Sequence, residues 1–184
     1  MKRWIGMAAA LVLSLGMTGC GAGKAQEPAS EQTEAVTADL EEIRQAVQDA
    51  YGESYIPSAP YDAETFAALF GITEDMYETY VAEGPMISVH VDTFAAVEAK
   101  DGQADAVEQA FADYREAQLT QAAQYPMNLP KIEASQVVRH GNYVFFVMLG
   151  TPSAEAEMEG EEAALESARE QNQIAVDVID SFFS

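Results

Sequence analysis

The sequence predicts an α+β protein, with a small, largely antiparallel sheet in the order strand, helix, strand, strand and helices packed on it. Three observations predict it. Residues 135–139 and 143–149 are β-branched and aromatic runs that flank His140-Gly141-Asn142, a hairpin pattern around a Gly-Asn turn. Residues 93–100 alternate, with Ala95, Val97 and Ala99 on one side and Phe94, Ala96 and Glu98 on the other. Apolar residues recur at helical spacing near the N-terminus, in the middle and at the C-terminus of the chain.

The first segment, 1–19, has the layout of a secretory signal peptide. Lys2 and Arg3 give a positive start, and Ile5 to Leu15 is an apolar run closed by small residues. As a helix rising ~1.5 Å per residue, that run falls well short of the ~30 Å of a bilayer core. Met17-Thr18-Gly19-Cys20 resembles the lipobox of bacterial lipoproteins, with Met17 where Leu is more usual. Cys20 is the single cysteine of the chain, at the position where lipidation requires a thiol. The expectation is cleavage before Cys20 and attachment of membrane lipid to its sulfur, which holds the protein on the outer face of the cytoplasmic membrane. The same count leaves no disulfide and no cysteine-based metal or redox site downstream. Residues 20–36 are rich in Gly, Ala, Ser and Glu and lack large apolar side chains, so they read as a flexible tether.

The uncharacterised domain is assigned to 37–150. Leu40, Ile43, Ala46 and Val47 predict a helix over 37–50, with Thr37 as its cap and Tyr51-Gly52 as its end. A Pro-containing stretch, 56–60, leads to a second helix over 62–70 with Phe66, Leu69 and Phe70 on its apolar face and Gly71 as its stop. Thr73 is expected to cap a turn containing Met76, Tyr77 and Tyr80. Residues 85–92 alternate and read as extended. Asp101-Gly102 marks a turn, and 103–124 predicts a long helix ended by Pro126. Residues 143–149 are apolar on both faces, which predicts a central strand. In the remaining segment, 151–184, Glu155 to Glu162 is expected to be a mobile, solvated charge run. From Ala163 a long helix is expected to dock its last two or three turns on the sheet.

Charge narrows the function classes. The 184 residues carry 31 acidic and 9 Lys or Arg side chains, a net charge of -22. Without Lys2 and Arg3 the charge is -24, with 7 bases left. Such a surface repels nucleic acid and anionic lipid headgroups. His90 and His140 are the only histidines, so no metal ligand set is assigned. No Gly-x-Ser-x-Gly elbow and no phosphate-cradling Gly loop occurs. No cofactor and no catalytic residue is assigned either. Arg115, Gln118 and Tyr125 fall near one helical face, and with His90 they are the candidate ligand-binding residues.

Three stretches carry a resemblance to a known family. They are 85–92 running into 96–102; Tyr114-Arg115 with Gln118, Gln121, Tyr125 and Pro126; and 137–144. In this order and spacing the chain resembles small lipoproteins of Gram-positive anaerobes that share one domain of unknown function. The resemblance covers roughly Leu40 to Leu149 and implies a lipid-anchored extracytoplasmic domain without an assigned activity. The acidic segment and long final helix depart from the short tail of that pattern. The function expected first is a non-enzymatic module binding an envelope protein or small ligand. The alternatives are an envelope hydrolase or transferase built on Ser, His and carboxylates, and a ligand-capturing lipoprotein for a transporter. Convergence of His90, a serine and a buried carboxylate would favour the hydrolase or transferase.

Overall fold

The computed structural model describes residues 37–120 and 124–184. The leader 1–19, the tether 20–36 with Cys20, and Gln121 lie outside the described residues. The first helix, α1 (Leu40–Tyr51), is capped by Asp39 rather than Thr37: its carboxylate accepts the backbone N–H groups of Glu41 and Glu42. A negative oxygen there also meets the positive end of the helix dipole. Leu40, Ile43, Val47 and Tyr51 form the buried stripe. The Pro-containing stretch contributes a two-residue edge strand, β1 (Ala59–Pro60), the place in a sheet where a residue without an N–H is tolerated. Helix α2 (Ala63–Phe70) is capped by Asp62 and ended by Gly71. It buries Phe66 and Phe70 but leaves Leu69 exposed.

The expected turn around Tyr77 and Tyr80 is instead a strand, β2 (Tyr77–Gly84). Its register slips between Tyr77 and Thr79, which places two tyrosines three residues apart on one face. Both pack on Phe66, with ring centroids 6.0 and 4.2 Å away. The slip hides the two-residue period that marks a strand. Residues 85–92, read as extended, form a loop, with the His90 N–H donating back to the Ile87 carbonyl. Strand β3 (Thr93–Ala99) follows, then α3 (Ala104–Thr120), a 3-10 turn at Pro126–Asn128 and a short helix, α4 (Leu129–Ala134). The hairpin is present as β4 (Gln136–His140) and β5 (Tyr143–Met148). The acidic stretch is helical rather than irregular: α5 (Ala154–Glu159) and, after Gly160, α6 (Glu161–Ser181).

The sheet order is β1-β2-β3-β5-β4, and every neighbouring pair is antiparallel. The architecture is α+β, as expected, with β1 and β2 added before the expected strand, helix, strand, strand. β5 is buried along its whole length, and its alternate side chains feed two cores. Val144, Phe146 and Met148 join Ala95, Val97, Phe66, Phe70, Val107, Phe111 and Ile132 under α2 and α3. Phe145 and Val147 join Phe94, Ala96, Ile43, Val47, Ala175 and Ile179 under α1 and α6. Burial along α6 begins at Ala164, so its docking is not confined to the last turns. It packs on α1 and α4 as well as β5.

The two ends of the sheet differ. The described chain enters at one end, where the Ala38 N–H donates to the Tyr143 hydroxyl at 3.2 Å. The β4–β5 turn and the C-terminus share that end: His140 stacks on Phe183 at 4.4 Å and pairs with Asp180 at 2.8 Å. The loop 85–92, α4, α5 and the start of α6 gather at the other. Gly150 leaves β5 there with φ 87°, and a Cβ on it would lie 2.5 Å from the Gln171 Cβ of α6. Gly150→Ala is therefore expected to cost about 2–4 kcal/mol, since both backbone strain and overpacking oppose it. A urea titration showing a loss under ~0.5 kcal/mol would contradict this contact.

Candidate functional site

The end of the sheet away from chain entry carries a buried polar centre and, beside it, an open groove. Asp92 ends the 85–92 loop with 0% exposure, and Lys131 of α4 is 5% exposed. The Lys131 Nζ donates to Asp92 Oδ2 at 2.8 Å. Asn128, also buried, donates from Nδ2 to the Val89 carbonyl at 2.9 Å, tying the loop to the 3-10 turn. On the other side of the centre Asn172 of α6 accepts the Leu149 N–H at 3.0 Å. Thr93 pairs with Met148, so Asp92 and Leu149 are the residues that flank this last pair of the ladder. Among the described residues, Asp92 Oδ1 and Asn172 Nδ2 are buried side-chain atoms without a hydrogen-bond partner.

Buried phenols surround this end. The Tyr51 hydroxyl donates to the Gln171 carbonyl, and the Tyr55 hydroxyl donates to the buried Glu83 at 2.6 Å. Burial raises the pKa of both, with Glu83 adding to the effect on Tyr55. Tyr114, packed between Phe70 and Phe146, is pushed up to about 12, mainly by desolvation. A phenol that ionises more readily unfolded than folded contributes stability that is complete below the ordinary value of 10.0 and lost as pH rises towards 12. For Tyr114 alone the loss is of order 2–3 kcal/mol, from ~1.4 kcal/mol per pH unit. Tyr114→Phe is expected to reduce the alkaline loss of stability. Chemical unfolding at pH 8 and pH 11 checks it.

The residues singled out from sequence come to this end but do not form one cluster. The Arg115 Nε donates to the Ser135 carbonyl at 2.9 Å and to its hydroxyl at 3.2 Å, and Nη2 donates to the Glu133 carbonyl at 2.7 Å. Its guanidinium therefore caps the carbonyl end of α4 and locks α3 to the start of β4. Gln118 accepts from Gln124 at 3.0 Å, and Tyr125 is exposed. His90 is half-buried in the loop. Among the described residues no hydrogen bond joins any two of these four, and the His90 ring bonds neither a serine nor a carboxylate. Nor does any group of three His, Cys, Asp or Glu side chains among them stand close enough to hold a metal ion. Lys131, Asn128 and Asn172 went unnoticed in the sequence, and Asp92 stood out there only as a carboxylate beside His90, not as the partner of a buried lysine. The one local sign is Lys131 itself, a lone cation within Leu129-Pro130-Lys131-Ile132.

The groove lies between α4 and the α5–α6 junction and has a volume of about 470 Å³. Pro126, Met127, Leu129, Pro130, Ala164 and Leu165 line it, together with Glu133, Glu157 and Glu161. Met127 and Leu129 are 55% and 45% exposed. Met86, Ile87, Leu119, Tyr125 and Met158 extend the exposed apolar surface of this end. Of the large exposed apolar side chains among the described residues, only Leu69 lies elsewhere. Gathered apolar surface of this kind marks interaction sites on soluble domains.

No helix among the described residues is long and apolar enough to cross a membrane. No curated protein and no solved structure matches the chain. Residues 55–149, from Tyr55 beside Glu83 through the loop, the Asp92–Lys131 pair and the β4–β5 hairpin, match one family. The chain belongs to that family, described as "Domain of unknown function (DUF4358)".

Proposed function

We propose that this protein is a lipid-anchored lipoprotein on the outer face of a Gram-positive cytoplasmic membrane, and that its domain is a non-enzymatic binding module of the cell envelope. One observation carries the binding reading: the exposed apolar side chains collect at the end of the sheet opposite chain entry. Residue 37, where the described chain begins, lies at the opposite end of the domain. The anchor itself rests on the leader and on Cys20. Two acyl chains, at ~0.8 kcal/mol per buried methylene, hold a protein at a bilayer durably.

The test is crosslinking in intact cells, with Leu129 replaced by a benzophenone amino acid in one strain and Glu78 in another. Glu78 lies on β2 near the chain-entry end. The expected result is a discrete adduct from position 129, absent at position 78 and competed by excess unlabelled protein. Equal labelling from both positions, or none from either, contradicts the binding reading.

A further inference from the structure

We infer that the groove between α4 and the α5–α6 junction takes a cationic amphipathic peptide segment of a partner protein, an assignment that rests on the binding reading above and specifies its partner. The floor, built from Met127, Leu129 and Leu165, offers apolar contact that water does not satisfy. Glu133, Glu157 and Glu161 stand on three different elements, yet all of them line this one groove. No salt bridge among the described residues involves any of the three. An occupant must therefore bring apolar side chains for the floor and Lys or Arg for the rim. A volume of about 470 Å³ suits a few side chains of one segment.

The same charges argue against the other occupants. A second copy of this chain brings a net charge of the same sign, -22 in full and more negative without its leader. The tether, 20–36, has Lys24 as its single base and no large apolar side chain to fill the floor. Anionic lipid is repelled by the rim. A helix or extended segment with leucines on one side and lysines beside them meets both requirements, in the manner of an amphipathic segment laid in a groove.

The experiment titrates full-length protein in detergent with a short helical leucine–lysine peptide, followed by fluorescence anisotropy. The comparison is between two triple variants of equal charge. Glu133→Gln/Glu157→Gln/Glu161→Gln neutralises the rim, and Glu53→Gln/Glu64→Gln/Glu78→Gln neutralises three exposed carboxylates elsewhere. The rim variant is expected to bind roughly tenfold more weakly than the control variant, the sum of three modest exposed charge pairs. Met127→Ser/Leu129→Ser is expected to weaken the peptide comparably while leaving the unfolding midpoint unchanged, since both side chains are already about half exposed.

Equal weakening by the two charge variants would overturn the groove, because the peptide would then sense only overall charge. So would undiminished binding by the Met127→Ser/Leu129→Ser protein, or equal binding of a leucine–glutamate peptide. Binding of zwitterionic vesicles that is lost on Met127→Ser/Leu129→Ser would replace the peptide with a lipid surface. A discrete adduct from position 129 in cells, combined with failure of the peptide, removes this inference and leaves the binding reading standing. Failure of both removes both.

Discussion

Asp92→Ala is expected to destabilise the domain by about 3–5 kcal/mol, a large share of the stability of a domain this size. The carboxylate and the Lys131 ammonium are 2.8 Å apart and almost wholly out of water. Removing one leaves the other as an uncompensated charge in low dielectric, which is where the cost arises. The pair itself need not stabilise the fold, because desolvation of both ions offsets most of their attraction. Asp92→Leu/Lys131→Met is therefore expected to recover most of the loss. The comparison is a shift in urea midpoint at constant slope. A single variant within ~0.5 kcal/mol of the parent would contradict burial of the pair. A double variant as unstable as the single would mean that the pair holds the loop 85–92 in place by more than charge compensation.

Cys20→Ala is expected to have the largest effect on where the protein resides. It removes the single thiol of the chain, and with it the only group positioned for thioether formation with a diacylglyceryl donor. Metabolic labelling with palmitate is expected to fall to background, and the protein to move from the membrane fraction to the medium or the soluble fraction. The fold is expected to be unchanged, since position 20 precedes in sequence the first helix, α1 (Leu40–Tyr51), and both cores are built from residues 38 onward. Thermal unfolding of the released protein tests that part separately. Persistent labelling of the variant would contradict lipid on this sulfur.

How much of this was legible in the sequence differs by element, for physical reasons. The β4–β5 hairpin was readable because Gly141-Asn142 and the run Tyr143 to Met148 agree at the level of turn chemistry and of burial. The two faces of β3 were readable because Ala95 and Val97 alternate with Phe94 and Ala96 without interruption. β2 was not, because the register slip beside Tyr77 brings two aromatic residues to the same face three positions apart. α4 escaped notice because six residues containing Pro130 carry too little pattern for a helical period. The acidic stretch gave composition but not conformation: it is helical, and Ser153 caps α5 by accepting the Ala156 N–H.

The site shows the same division. Arg115 was picked out as a scarce base and is held by the carbonyls of Glu133 and Ser135. A scarce cation signals that a partner exists without saying which. Asp92 and Lys131 are 39 positions apart, and nothing local to either announces the other. The groove needs α4, α5 and α6 together, so no window along the chain contains it.

The most direct measurement is the intact mass of the protein extracted from membranes of the cell that makes it. The expected species begins at Cys20, lacks residues 1–19 and carries a diacylglyceryl group on sulfur. A species that begins at Met1 with a free thiol would contradict the anchor, and with it the envelope setting in which this acidic domain is proposed to bind.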